Sequence, residues 1–450
     1  MRRALVASAL ALGVLVYFES DSLACGGCFQ PSENPTVVTD HRMLFSVSKD
    51  QTTLYDQIKY SGNPSSFGWV LPITGTVDIG LSADVVFAAL DQTTQTRILP
   101  PPQNCPAPPA DCAFKNGQAV PGTASDSAGS SSGGVTVLKN QVVGPYETVQ
   151  LASTDPKALD TWLTSHSFVV PPDIEPVIAQ YVSEKFNFLA LKLVPGQTVQ
   201  NMRPVRVTTQ GASVALPLRM VAAGTGASVG ISLWVISEGR YEPQNFPFFH
   251  IETDEIAWDW SQNKSNYTEV RAQKEQAGGG KIWEIESSIA VPSSTLHNQI
   301  YYGGGGAAAD YDPVTNADGT IAKTADTVRD EDLATMFHGI NNPRVTRMRG
   351  DIAHAALNAD LTMIASADQA ELSNTRQLTK ELNEPNCPVY QGCDVIGQAP
   401  RSQAAGGSSS PSHATSSCDA APSRRSLDLT IIGGGLAFAA LAIVRARRKR

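Results

Sequence analysis

The stretch DIEPVIAQYVSEKFNFLALKL, residues 173–193, changes its hydrophobic period once. Ile174, Val177, Ile178, Tyr181 and Val182 fall at i, i+3, i+4, i+7 and i+8, one apolar face of a helix over 173–185. Phe186 to Leu193 then carries the apolar run of a strand. A helix running directly into a strand, with no fixed-period repeat anywhere in the chain, predicts a β-rich α+β body.

The flanks extend this pattern. Towards the N-terminus, Met43 to Ile58 predicts two short strands around a turn. Phe67 to Pro72 predicts a strand ending at proline, and Ala83 to Gln92 a helix with Ser82 as N-cap. Val135 to Leu151 has strand character, and Asp155-Pro156 starts a helix running to about His166. Towards the C-terminus, Ser213–Val221 and Val229–Ser237 flank Gly224-Thr225-Gly226 and predict a hairpin. From about 245 the texture changes. Ile256, Trp258 and Trp260 alternate as on one strand face, and Tyr267 to Gln276 is helical up to Gly278-Gly279-Gly280. Ile282 to Ile289 is a strand, Tyr302 to Arg329 a Gly/Asp-rich loop, and Asp330 to Ala370 holds one or two helices and a strand. The body thus divides into an N-terminal part, 25–245, with a disordered loop over 100–134, and a second α+β part, 246–393. At 450 residues, 42% apolar and 17% charged, the chain has enough apolar side chains for two such parts.

Both ends carry targeting patterns. Arg2 and Arg3, the apolar run Ala4–Phe18 and Ser22-Leu23-Ala24 form a signal peptide over 1–24 with a cut after Ala24. The rival is a lipoprotein signal with Cys25 lipidated, against which Ser22 stands where leucine is usual. Residues 394–426 form a Ser/Gly/Pro-rich stalk, disordered because it has too little to bury. Residues 427–450 form a transmembrane segment with a basic tail. Leu429 to Val444 is uncharged over 16 residues, about 24 Å as a helix and short for a bilayer core of about 30 Å. Five basic residues between Arg445 and Arg450 would stay cytoplasmic, leaving the body outside.

Charge narrows the partners. Residues 1–24 are neutral overall, and 419–450 carry seven basic and two acidic side chains. The net −9 of the chain therefore places −14 on residues 25–418. Such a body repels nucleic acid and anionic lipid, and nucleic-acid binding is set aside.

Seven cysteines are present, and six are disulfide candidates: Cys25, Cys28, Cys105, Cys112, Cys387 and Cys393. Six allow 15 pairings. Local pairs, Cys105–Cys112 and Cys387–Cys393, are the expectation, because each closes a short proline-bearing loop. Cys25-Gly-Gly-Cys28 stays open between a redox pair, half a zinc site and two structural cysteines. Cys418, alone in the stalk, suits modification or anchoring.

Several of these pieces, in order, resemble a bacterial family known only as domain of unknown function 2330. They are Ala24-Cys25-Gly26-Gly27-Cys28, Phe67-Gly68-Trp69-Val70-Leu71-Pro72, Val143-Gly144-Pro145-Tyr146-Glu147, Phe188 to Leu193, Leu216-Pro217-Leu218-Arg219 and Val345-Thr346-Arg347-Met348-Arg349. The resemblance spans about 24–370 and implies an exported bacterial protein, with no activity to carry over. The lone Cys418, short span and arginine cluster resemble the sorting signals of myxobacterial surface proteins, which implies cleavage near Cys418 and lipid attachment there. Ten residues between Cys418 and Leu429 depart from the commonest spacing.

Motifs for chemistry fare poorly. Gly226-Ala227-Ser228-Val229-Gly230 matches G-x-S-x-G, but a nucleophile elbow needs a helix after the serine, and Ile231 to Ile236 is strand-like. Gly280-Lys281 lacks the first glycine and the following Ser or Thr of a phosphate loop. No two of the seven histidines lie four apart. Asp310-Tyr311-Asp312, Asn316 and Asp318-Gly319 have the composition of a calcium loop, yet Ala325 stands where the bidentate Glu belongs. This stretch is thus either a solvated acidic loop or, as the alternative, a calcium site. Trp258, Trp260, Tyr241, Phe246, Phe248 and Phe249 suit a core more than a binding face. Glu252, Asp254 and Asp259 have no fixed separation that would make a glycosidase pair. The expectation is an envelope-anchored, extracytoplasmic structural or binding protein that meets a cell-surface protein or glycan and holds the membrane through its C-terminal segment or a lipid. The alternatives are an extracytoplasmic hydrolase and a calcium-dependent adhesion module.

Overall fold

Met43, Phe45 and Val47 point to one face of the strand Val38–Val47 and Leu44 to the other, and all four are buried. A strand apolar on both faces has to be covered on both. The computed structural model describes residues 38–57, 68–108, 141–151, 165, 174–222, 225–302, 311–315 and 319–404. Within it the chain is a strand-rich α+β fold with seven α-helices among the described residues.

The central layer is an eight-stranded mixed sheet. Its order is Phe248–Phe249, Trp283–Ala290, Arg344–Ala353, Thr225–Ser237, Val38–Val47, Gln51–Gln57, Val205–Gln210 and Asp78–Leu81. Val38–Val47 runs parallel to Thr225–Ser237 and antiparallel to Gln51–Gln57. On one face, Leu233 and Val235 meet Trp69, Leu71, Tyr146, Leu189 and Leu191. These come from an antiparallel second sheet of order Gly68–Ile73, Asn187–Leu193, Tyr146–Leu151 and Gln141–Val143. On the other face, Leu44, Tyr55 and Trp234 meet Val86, Leu90, Leu296, Leu333 and Met336 from the helices Asp84–Thr94, Ser293–Tyr302 and Ala325–Met336. The helix Glu175–Ser183 covers the outside of the second sheet, with Ile178, Tyr181 and Val182 on Val70, Phe188 and Ala190. The layers run helices, sheet, sheet, helix.

The 173–193 reading is met. Leu189, Leu191 and Leu193 face the inter-sheet core, while Phe188 and Ala190 face the helix. Lys185, at φ 66°, closes the helix. Its N–H donates to the Val182 carbonyl and that of Phe186 to Tyr181, both at 3.0 Å, the Schellman pattern. The Tyr181 and Phe186 rings meet at 5.3 Å, supplying the apolar contact of that cap.

Other expectations are corrected. There is no hairpin over 213–237. Val214–Leu216 pairs instead with Leu361–Ala365, Pro217 offers no N–H to continue the ladder, and Leu218–Val221 is a helical turn. Thr225–Ser237 is a 13-residue strand between Val38–Val47 and Arg344–Ala353. Ser82 does not cap Asp84–Thr94; Ala83 holds the N-cap position, and the Ser82 hydroxyl donates to Asp332. Ile256 to Trp260 is no long strand, since a 3₁₀ turn over Thr253–Glu255 precedes the two-residue strand Trp258–Asp259. The boundary expected near 245 separates no sheets, because strands from both sides share the central one. The stalk expected from 394 does not hold over 394–404: Asp394–Pro400 pairs with Asn386–Gln391, and Arg401–Ala404 is helical. All but Ser165 of the helix expected from Asp155 to about His166, most of the loop 100–134, residues 1–24 read as a signal peptide, Cys418 and the 427–450 segment lie outside the described residues. Among the described residues no helix is long and apolar enough to cross a membrane.

Candidate functional site

The strand Asp78–Leu81 is one edge of the central sheet. Asp78 opposes Thr208 and Gly80 opposes Arg206 on its neighbour. On the next strand Thr53 opposes Thr208 and Tyr55 opposes Arg206. Alternation turns Ile79 and Val207 into the inter-sheet core and puts Asp78, Gly80, Arg206 and Thr208 on the helix-side face. The helix Ala325–Met336 covers only the inner part of that face. Beside it lies a groove of about 310 Å³, floored by Gln51, Asp78, Gly80, Arg206 and Thr208 and walled by Ala334, Thr335 and His338.

Arg206 is the principal cation of the groove. Its Nη1 donates to Asp332 Oδ1 at 2.9 Å. Asp332 is fully buried and also accepts from Ser82 Oγ at 2.6 Å and Tyr311 Oη at 2.9 Å. The Tyr55 hydroxyl donates to the Asp332 carbonyl at 3.3 Å. Burial pushes the Asp332 carboxyl up, and Arg206 with the two hydroxyl donors pulls it back. Burial and the Asp332 charge push the Tyr55 and Tyr311 phenols far up, so both remain donors. Gly80 makes the guanidinium's position possible: a Cβ there would overlap Arg206 Nε. One fixed hydrogen bond leaves most of the five guanidinium N–H groups for other acceptors. Asp78 is exposed and makes no hydrogen bond or ion pair with any described residue. From the floor, Gln51 Nε2 donates to the Thr335 carbonyl of the wall at 3.4 Å and links sheet to helix.

The other charged clusters are structural. Arg219 bonds Glu184 and Asp360 and lies 4.1 Å over the Tyr181 ring, clamping the outer helix. Arg347 bridges Asp91 and Glu286 beneath the helix layer. Arg271 joins Glu275, Glu284 and Asp351. Burial raises the Glu284 carboxyl to about 7, but its side chain is sealed from solvent beneath Tyr267, whose hydroxyl donates to it at 2.6 Å.

The residues singled out in the sequence are dispersed. Ser228 is exposed inside a strand, opposite Ala353, with no helix after it, so it is neither a nucleophile elbow nor a hairpin turn. Gly280 follows the helix Tyr267–Ala277 at φ 70° and packs close to Ala353. Glu252 and Glu255 form a capping box, and Asp259 is held by Ser261 and Asn383. Trp258 and Trp260 meet edge-on at 6.0 Å and pack with Ile251, Ile256 and Leu378 as core. Of the calcium-type loop, Asp310, Asn316 and Asp318 lie outside the described residues. Tyr311 belongs to the Asp332 cluster, and Asp312 pairs with Arg203 at 2.7 Å. No metal-holding group of His, Cys, Asp and Glu occurs among the described residues.

The cysteines depart from local pairing. Cys105 is bonded to Cys387, 282 residues away. Cys393 is disulfide-bonded too, with its partner outside the described residues. Cys387 lies near one end of the strand Asn386–Gln391 and Cys393 in the turn at the other. Six extended residues span about 20 Å, well beyond the reach of a disulfide. Cys25, Cys28 and Cys112 lie outside the described residues, as does Ala24.

Residues 20–337 match the model of a family described as an uncharacterised protein conserved in bacteria, domain of unknown function 2330. The chain belongs to that family. The match holds most of the groove, including Asp78, Arg206 and Asp332, and stops before the Val345–Arg349 piece. Comparison with curated proteins and with solved structures returned no match.

Asp78, Arg206 and Asp332 escaped the sequence reading because 254 positions separate the first from the last. They share no motif and meet only through sheet register.

Proposed function

We propose that this member of the family is an exported, envelope-anchored binding protein that takes a small ligand in the sheet-edge groove. The observation carrying the export half is the Cys105–Cys387 disulfide, which joins segments 282 residues apart. Disulfides of this kind persist in oxidising compartments outside the cytoplasm. The signal-like N-terminus and the apolar, arginine-ended C-terminus support the same reading. The binding half rests on the groove. It is concave and partly apolar, with a few convergent polar groups, as ligand sites are. Thr208 is its one hydroxyl-bearing floor residue, and that hydroxyl is bonded to Thr53 at 2.9 Å. The Thr335 hydroxyl of the wall is likewise engaged, donating to the Glu331 carbonyl at 2.8 Å, so neither hydroxyl is poised as a nucleophile, which supports a ligand-holding role.

The test is the intact mass of the protein taken from its own cell envelope, with and without reduction. The expected product starts at Cys25, gains mass on reduction and alkylation only, and ends near Cys418 with added lipid. Recovery from the cytoplasm with every thiol free to alkylate refutes the proposal. A mass reaching Arg450 replaces the lipid anchor by a retained span.

A further inference from the structure

We infer that the groove selects a small zwitterion, an α-amino acid or a molecule carrying the same paired charges. This rests on the groove being the binding site. Asp78 and Arg206 are diagonal neighbours on one face of an antiparallel pair, because Asp78 opposes Thr208 and Arg206 lies two residues from it. Such positions are roughly 7–8 Å apart at the backbone. Both side chains line the groove, yet they form no ion pair with each other. The carboxylate is left without a partner, and the guanidinium is pinned at one nitrogen with donors to spare. A ligand with an ammonium and a carboxylate a single carbon apart places the first on Asp78 and the second on Arg206.

Charge and hydrogen bonding together disfavour the simpler ligands. The body between residues 25 and 418 carries −14, and Asp78 adds a local negative charge, so a plain anion approaches against the field. A plain cation is drawn by the field and by Asp78 but leaves the spare Arg206 donors without an acceptor. A zwitterion has no net charge and satisfies both groups. The Arg206 edge is preset, because Asp332, itself held by Ser82 and Tyr311, fixes the guanidinium over Gly80. Gln51, Thr335 and His338 border the remaining space, room for a polar ligand side chain.

The experiment uses the purified full-length protein and a panel of free α-amino acids. Each is paired with its amide, which lacks the carboxylate, and its N-acetyl form, which lacks the ammonium. Calorimetry reads affinity, and protection of exposed His338 from diethylpyrocarbonate, measured relative to exposed His297 outside the groove because free amines also consume the reagent, reads occupancy of the groove. At least one free amino acid is expected to bind and protect His338, with tenfold or greater loss for its amide and its N-acetyl form. Asp78→Asn leaves the fold intact, since Asp78 has no partner to lose, and is expected to weaken the free amino acid to the level of its N-acetyl form. Gly80→Ala, which displaces the guanidinium without changing charge, is expected to erase the penalty for the amide. Equal binding of all three forms, or no effect of Asp78→Asn, overturns the zwitterion while protection of His338 sustains the groove. If no amino acid protects His338, the zwitterion falls. A panel of neutral oligosaccharides then decides the groove itself: protection keeps it as the binding site, and none removes it.

Discussion

Asp56 should make the protein lose stability as pH rises through neutrality. The residue sits on the strand Gln51–Gln57, on the face that packs against the second sheet. It borders a small cavity with Met43, Leu54, Trp69, Leu71, Leu216 and Met220, and its Oδ1 has no hydrogen-bond partner. Burial, with no compensating cation among the described residues, raises its carboxyl to about 8 from an ordinary 3.8. The folded state therefore holds a proton that the unfolded state gives up above about pH 4. Stability from this group is fully present below that pH and is lost as pH rises to about 8. Between pH 5 and 7 folding takes up close to one proton, costing roughly 1.4 kcal/mol per pH unit, or about 3 kcal/mol over the window. Asp56→Asn keeps the shape and removes the proton. Urea unfolding of both proteins at pH 5, 6 and 7 should show the variant gaining about 3 kcal/mol on the wild type between the extremes. Other groups, such as His41, which burial lowers to about 4, titrate alike in both and cancel. Parallel stability curves would refute the reasoning, because they mean that Asp56 is ionised and partnered in the folded state.

Three further outcomes follow from packing and chain closure. Lys185→Gly, at φ 66°, should raise stability by about 1 kcal/mol in thermal unfolding, and a loss would contradict the left-handed cap. Cys105→Ser with Cys387→Ser reopens a 282-residue loop and should cost up to about 5 kcal/mol by chain entropy; unchanged denaturant midpoints would contradict a formed bond. Leu233→Ala, fully buried between Met43 and Met348 in the register, should cost about 3–5 kcal/mol, read from urea midpoints, and a change under 1 kcal/mol would contradict its place in the core.

Local pattern was legible and partnership was not. Residues 173–193 announced a helix and a strand because period reports which face a side chain takes, and the 43–58 hairpin closes over a few residues. Thr225–Ser237 was misread as half of a hairpin because its first partner, Val38–Val47, lies almost 200 residues upstream and runs parallel. No turn signal encodes such a pairing. Ser82 looked like a cap because an N-cap is a local hydrogen bond; a distant buried carboxylate took that hydroxyl instead. The cysteines failed for the same reason: short proline-bearing loops suggested local bonds, while the hairpin stretched Cys387 and Cys393 apart. The groove was invisible because three sheet strands and one helix each supply part of it, and none of the parts is a motif.

The family match and the folding unit also have different limits. The match ends at 337, yet Arg344–Ala353 lies between Thr225–Ser237 and Trp283–Ala290 in the central sheet. Without it both neighbours would present bare edges, and Met348 and Ile352 would leave the inter-sheet core. The strand Thr375–Gln377 pairs with Arg97–Leu99, and Cys387 pins the next hairpin to Cys105, so the closing segment is sewn to the N-terminal half. The groove charges depend on less. Asp78, Arg206 and Asp332 all fall inside the matched stretch and are set by neighbouring strands and one helix. The Asp78–Arg206–Asp332 set thus lies within the stretch that matches the family, and the sheet that holds it in register is completed by residues beyond that stretch.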